Sequence, residues 1–142
     1  MTNPAAIAAY VDLSQAKARY CRAVDTKDWN TVADLMTSDI EFGIGDTTEE
    51  PQMVTGRHET LALLQSLVAD SKTAHQVYAP EIDLDGDTAT VIWAVQDRAI
   101  FESGLSVTGY GHYYERWVTG GGRWRVASMK LIHLFVDVQQ DV

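Results

Sequence analysis

The sequence is poor in cysteine and in basic residues, and each shortage narrows what the chain can do. Its single cysteine, Cys21, cannot form an internal disulfide and offers no cysteine-based metal site. Only 11 lysines and arginines oppose 20 aspartates and glutamates, which gives a formal charge of −9. An acidic surface repels phosphate backbones, so we expect no nucleic-acid partner.

Long apolar runs are also missing. No stretch approaches the roughly 20 apolar residues that a membrane-spanning helix needs. The first twenty residues contain no basic segment followed by an apolar core, so no secretory signal is expected. The four histidines show neither the HxH nor the HExxH spacing, and this argues against a metal site. We therefore expect a soluble, cytoplasmic protein with no membrane partner, no metal and no cofactor.

The chain changes its hydrophobic period halfway along. Its 142 residues suit one domain, residues 1–142, with a core of its own. Helical spacing covers about 5–24, 29–36 and 56–70, with Asp28 as the expected N-cap of the second helix. Four extended runs rich in Val, Ile, Tyr and Trp follow, at about 73–84, 88–101, 105–118 and 123–136. Helices first and strands afterwards predict an α+β fold, with three helices on a curved, mainly antiparallel sheet that encloses a pocket.

The turns between the strands predict which residues face that pocket. A three-residue loop at 85–87 places His75 opposite Asp97, and a two-residue turn at 103–104 places Asp97 opposite Tyr110. A two-residue turn at 120–121 in the last hairpin places Tyr110 opposite Leu131. Period two then predicts one inner face, made of His75, Asp97, Tyr110, His112, Met129 and His133 with the apolar Val77, Val91, Trp93, Val95, Leu131 and Phe135. Such a surface is typical of a small-molecule site, although each ionisable residue could equally be a structural group with backbone or water partners.

Several stretches of the chain resemble the SnoaL-like branch of the nuclear transport factor 2-like superfamily. They are YCRAVDTKDWNTVADLMTSDIEF, GRHETLALLQSL, TAHQV and GHYYERWVTGGGRWRVASMKL. The resemblance covers nearly the whole chain and implies a cone-shaped α+β fold. That fold hosts cyclases, dehydratases, isomerases, epoxide hydrolases and proteins without catalytic activity, so the fold alone does not name a reaction.

A narrower resemblance concerns Asp25, at the end of the first helix, and His75, in TAHQV. They resemble the Asp–His dyad of a group formed by scytalone dehydratase, bile-acid 7α-dehydratase and hexachlorocyclohexane dehydrochlorinase. The resemblance implies that His75 is the general base and that Asp25 orients it. Tyr20 resembles a tyrosine of the bile-acid dehydratase. The dehydrochlorinase has a lysine there, and an arginine where this chain has Met129, so the resemblance favours dehydration.

Together these features favour an enzyme, a cofactor-independent lyase that removes water from a small apolar ring compound. The predicted catalytic residues are His75 as general base, Asp25 as its partner, and Tyr20. A hydrogen bond or proton for the leaving hydroxyl or for an enolate oxygen would come from Tyr20, Tyr110 or His112. The predicted substrate-binding residues are Asp97, Tyr110, His112, Trp93, Met129, Leu131 and His133.

Three other functions stay open at this point. An isomerase or cyclase acting on a steroid-like or polyketide-like substrate would use the same base without net elimination. A non-catalytic ligand-binding or oligomerisation domain would need the dyad only for structure. The small subunit of an aromatic-ring-hydroxylating dioxygenase shares the fold but would need a large partner subunit. We also expect a homo-oligomer, a dimer or a trimer, because aromatic side chains such as Tyr113 and Trp117 are expected on the outer face of the sheet.

Overall fold

The computed structural model describes residues 3–141, so residues 1, 2 and 142 of the predicted domain lie outside the described residues. Three helices pack on an open, six-stranded mixed sheet with the order β2-β1-β6-β5-β4-β3. In the described part of the chain β1 and β6 run parallel and the other neighbours antiparallel. The predicted α+β fold is confirmed. The elements are α1 (Pro4–Asp25), α2 (Trp29–Asp34), β1 (Met36–Asp46), β2 (Val54–Thr55), α3 (Arg57–Val68), β3 (Ser71–Asp85), β4 (Thr88–Phe101), β5 (Leu105–Gly120) and β6 (Arg123–Gln140).

Local sequence signals set the helix ends that bring α1 to the sheet. Asn3 caps α1 by accepting the backbone N–H of Ala6 at 2.8 Å, and proline occupies the first helical position. Asp28 caps α2, as predicted, by accepting the backbone N–H and the hydroxyl of Thr31. The buried face of α1 packs against the sheet, and the helix ends where its last residue meets β3. None of the helices within residues 3–141 has the length and apolar character needed to cross a membrane.

The register of β3 against β4 is as predicted near the site, but the register of β4 against β5 is not. His75 pairs with Asp97. The loop after β3 has two residues, 86–87, instead of the three predicted at 85–87, and a bulge between Tyr78 and Glu81 compensates for the difference. The next connection spans residues 102–104, one residue more than predicted, and Asp97 therefore pairs with Gly109 instead of Tyr110. A shift of one residue moves every side chain of a strand to the opposite face. The odd-numbered residues of β5 consequently face inwards.

Tyr110 and His112 therefore lie on the outer face, so the prediction that they line the pocket with His75 is wrong. Tyr110 stacks on Phe135 with ring centroids 4.9 Å apart, and Phe135 is 59% exposed. Phe135 was also predicted to face inwards, and the structure places it outside with Tyr110. His112 lies next to Tyr114 on the same outer surface.

Strand β6 nevertheless has the predicted orientation in its central part, because two register errors cancel. The last hairpin turns at 121–122, one residue later than predicted, and β6 contains two irregularities, at each of which one residue is inserted. The first insertion, between Val126 and Ser128, reverses the faces of β6 and so offsets the one-residue shift of β5. Met129, Leu131 and His133 face inwards as predicted. They pair with inward-facing residues of β5, and His133 lies opposite Gly111.

The space predicted to be an enclosed pocket is filled by the protein's own side chains. Trp93, Met129 and Leu131 were predicted to contact substrate, but they are 3%, 0% and 4% exposed and belong to the hydrophobic core. Tyr113 and Trp117 were expected on the outer face, and both are buried in the same core. The inverted register of β5 explains both results, because it directs large side chains of that strand into the interior.

The prediction of a homo-oligomer stays a prediction, now based on other residues. The outer face exposes Tyr114, Tyr78 and Ile100, each with 42% or more of its surface accessible. We expect self-association to cover this face, since exposed apolar patches mark interaction surfaces. Light scattering should give the mass of a dimer or a trimer of the 15.7 kDa chain. A monomer at micromolar concentration would contradict the expectation.

Candidate functional site

The end of α1 meets the edge strand β3 through the side chain of Asp25. Its Oδ1 atom lies 2.7 Å from Nδ1 of His75 and accepts the hydroxyl of Thr73 at 2.9 Å. Its Oδ2 atom accepts the backbone N–H of His75 at 2.9 Å. The carboxylate thus has three donors and is fixed against the strand. The two residues that the resemblance pairs are in contact, and their catalytic roles stay predictions.

This contact determines which nitrogen of His75 is available for chemistry. A carboxylate only accepts hydrogen bonds, so Nδ1 carries the hydrogen and Nε2 has a free lone pair. Among residues 3–141, Nε2 has no hydrogen-bond partner, and the side chain is 15% exposed. A groove of about 420 Å³ runs between α1 and β3, with Asp25, His75 and Val77 in its wall. A small molecule can therefore reach the dyad from solvent.

The inner face beside His75 is arranged in rows that cross four strands. Residues paired across neighbouring strands share a face of the sheet. Three successive rows are Thr73, Ala99, Val107 and Val138; then His75, Asp97, Gly109 and Val136; then Val77, Val95, Gly111 and His133. The site is therefore mainly apolar, with its ionisable groups in two adjacent rows.

Two of the predicted substrate-binding residues meet in these rows. Nε2 of His133 lies 2.7 Å from Oδ2 of Asp97, and their side chains are 16% and 17% exposed. Gly109 lies between the two strands that carry them. A Cβ atom at this position would overlap Nε2 of His133 and lie 2.8 Å from Oδ1 of Asp97. The absence of a side chain at Gly109 thus allows His133 to reach Asp97.

Tyr20, predicted to assist catalysis, lies in the core. Five residues along an α-helix correspond to a net rotation of about 140°, so Tyr20 and Asp25 leave α1 in different directions. Tyr20 is 2% exposed, and burial raises the pKa of its hydroxyl well above the ordinary value. A tyrosine with a raised pKa is a weaker proton donor. The structure therefore favours other groups as the acid.

A buried ion pair in the interior was missed by the sequence analysis. Nζ of Lys17 lies 2.5 Å from Oε2 of Glu115, and both side chains are fully buried. The other carboxylate oxygen accepts the indole N–H groups of Trp93 at 2.7 Å and Trp117 at 2.9 Å. Nζ also lies 3.4 Å from the ring centroid of Tyr113. The available signal was the position of a lysine within an otherwise apolar stripe of α1.

The remaining thiol is poorly suited to nucleophilic chemistry. Burial raises the pKa of Cys21 to about 11, so the group is a neutral thiol at neutral pH. Within residues 3–141, no group of three or more His, Cys, Asp or Glu side chains could hold a metal ion.

Comparison with known proteins agrees with this architecture. The probable cyclase FGR4 of Gibberella zeae is 23% identical over 134 residues, which cover 87% of this chain and 89% of that protein. The structure of a protein provisionally named as a scytalone dehydratase, from Novosphingobium aromaticivorans, is 17% identical and superposes with a TM-score of 0.82 over 96% of this chain and 91% of that one.

A type 2 hexachlorocyclohexane dehydrochlorinase superposes equally well. It is 15% identical, with a TM-score of 0.82 over 96% of this chain and 92% of that chain. At such identities a structural likeness shows the fold and does not assign a reaction. The model of the SnoaL-like domain matches residues 5–130. The chain therefore belongs to the SnoaL-like domain family.

Proposed function

We propose that the chain is a cofactor-independent lyase that removes water from a small, largely apolar ring compound, with His75 as general base. The observation that carries the proposal is the contact between Asp25 and Nδ1 of His75, which leaves Nε2 free beside an open groove. The names of two structural neighbours, a dehydratase and a dehydrochlorinase, agree with an elimination.

The chemistry follows from the geometry of the dyad. Nε2 of His75 takes a proton from a carbon next to a carbonyl group of the substrate. The carboxylate of Asp25 stabilises the imidazolium that forms and keeps the ring in one tautomer. The electrons of the C–H bond form a carbon–carbon double bond while the neighbouring C–O bond breaks. The hydroxyl group leaves as water after it accepts a proton from an acid. Val77, in the wall of the groove, offers the ring an apolar surface beside the base.

An isomerase or cyclase is the second candidate, and the likeness to FGR4 favours it. Such an enzyme would begin with the same proton abstraction by His75. It would then return the proton at another atom or form a ring bond, and no water would leave. The two candidates differ only after the first step.

Deuterium exchange separates these possibilities. Cyclic β-hydroxy ketones such as 3-hydroxycyclohexanone are incubated with the protein in deuterated water. Nuclear magnetic resonance follows deuterium entry at carbon, and mass spectrometry follows loss of water. We expect both reactions in the wild-type protein. The variant His112→Gln is a matched control, because His112 lies on the outer face and should be dispensable for both reactions.

Each alternative outcome has a distinct meaning. Exchange without loss of water would overturn the lyase proposal in favour of an isomerase or cyclase. If compounds that bind to the protein undergo neither reaction, the non-catalytic binding domain becomes the better description.

A further inference from the structure

A second Asp–His pair lies on the same face of the sheet as the first. Nε2 of His133 is bound to Asp97, so this nitrogen carries a hydrogen, and Nδ1 is the nitrogen left for other partners. Among residues 3–141, Nδ1 of His133 has no hydrogen-bond partner. The pair is mostly buried but accessible, with 16% and 17% of the two side chains exposed. Its environment thus resembles that of Asp25 and His75.

The two pairs are close enough to act on one small molecule. His75 and Asp97 are direct partners on neighbouring strands. His133 reaches back over Gly109 to Asp97, so its ring lies above the middle of the sheet and not at the far strand. Neighbouring strands are about 4.8 Å apart, so about two strand spacings, roughly 10 Å, separate the regions of the two imidazoles. A six-membered ring with its substituents can span such a gap.

The surface beside the second pair is apolar. The side chains of His133 and Asp97 cover Gly109, and the backbone of Ile132 and His133 covers Gly111, so the open apolar part of this face lies at Val136 and Val138 on β6. Val136 and Val138 are 46% and 58% exposed although both are apolar. An apolar ring placed here would cover these valines while its polar substituents meet the two histidines.

We propose that His133, positioned by Asp97, is the acid of this site and donates a proton to the leaving hydroxyl oxygen of the substrate. The proposal rests on the proposed lyase function. In this role His133 replaces the three proton donors expected from the sequence. Tyr110 and His112 lie on the outer face, and the hydroxyl of Tyr20 is buried in the core.

During elimination one proton moves from the substrate to His75 and another moves from His133 to the substrate. Nε2 of His75 gains the proton of the substrate C–H bond, whose electrons form the double bond. The C–O bond breaks, and its oxygen receives a proton from Nδ1 of the His133 imidazolium, so one water molecule leaves. His75 ends as an imidazolium and His133 as a neutral imidazole. Exchange of protons with solvent restores both groups, and no other reactant is needed.

The test compares exchange with elimination in variants of the second pair. In His133→Gln, deuterium entry at the carbon of a cyclic β-hydroxy ketone should stay close to the wild-type rate, because His75 performs that step. Loss of water should fall by about 10²–10⁴, the usual contribution of a general acid. His112→Gln is the matched control and should keep both rates. Thermal unfolding of each variant checks that the fold is intact.

Two further variants keep the test decisive if His133→Gln folds poorly. Gly109→Ala adds a Cβ atom that must separate His133 from Asp97, and Asp97→Asn removes the positioning carboxylate. Both variants should behave like His133→Gln, with deuterium exchange retained and elimination lost. A purely structural role of His133 would not separate the two rates in this way. Elimination at the wild-type rate in folded His133→Gln or Gly109→Ala would overturn the role of His133 while leaving the lyase function standing. Absence of elimination in the wild-type protein would instead contradict the lyase function itself.

Discussion

Replacing Glu115 by glutamine should lower the free energy of unfolding by about 3–5 kcal/mol, the scale found when one partner of a buried ion pair is removed. The substitution keeps the shape of the side chain but leaves the ammonium group of Lys17 fully buried without a counter-charge. It also weakens the acceptor for the indole groups of Trp93 and Trp117. Urea unfolding measures the effect as a lower midpoint with an unchanged slope.

Two comparisons establish that the loss comes from an unpaired buried charge. The double variant Lys17→Met with Glu115→Gln removes both charges and should be markedly more stable than either single variant, since apolar replacement of a whole buried pair is often tolerated. The exposed pair of Lys130 and Glu50, 3.1 Å apart, provides the control. Glu50→Gln should change stability by less than about 1 kcal/mol. A similarly small effect of Glu115→Gln would contradict the described core.

The order and type of the elements were predictable from the sequence because helical and alternating patterns are strong over long segments. The pairing of His75 with Asp97 was predicted correctly only because two deviations cancel, a loop one residue shorter than predicted and a bulge between Tyr78 and Glu81. The register of β5 was not, because it depends on whether the connection at 102–104 has two or three residues. The inserted residues of β6 also leave no clear mark in a sequence, since a bulge preserves composition and shifts only the pairing.

Of the two Asp–His pairs in the candidate site, only the first was predictable from the sequence. Asp25 and His75 are named by resemblance, because one ends a helix and the other begins a strand. The contact of His133 with Asp97 requires the register of three strands and the missing side chain of Gly109, and no local pattern contains that information. The partner of Lys17 was hidden for the same reason, since the faces of β5 had been inverted.

Loss of the imidazole of His75 should have the largest effect on activity. His75→Gln removes the base and should abolish nearly all proton abstraction. Asp25→Asn should lower the rate by about 10²–10⁴, because the amide supplies no charge for the imidazolium and presents a wrong partner to Nδ1. The two side chains are 15% and 22% exposed and lie outside the hydrophobic core, so the core packing should stay intact. Steady-state rates with a cyclic β-hydroxy ketone, beside thermal unfolding of each variant, measure these effects.

The proposed mechanism depends on removal of a proton from carbon by Nε2 of His75. The most direct test is the rate at which solvent deuterium enters the substrate carbon, measured by nuclear magnetic resonance with wild-type protein and with His75→Gln at equal ligand occupancy. We expect rapid exchange in the wild-type protein and almost none in the variant, while ligand binding and thermal unfolding are preserved. Exchange at the wild-type rate in folded His75→Gln would contradict this mechanism.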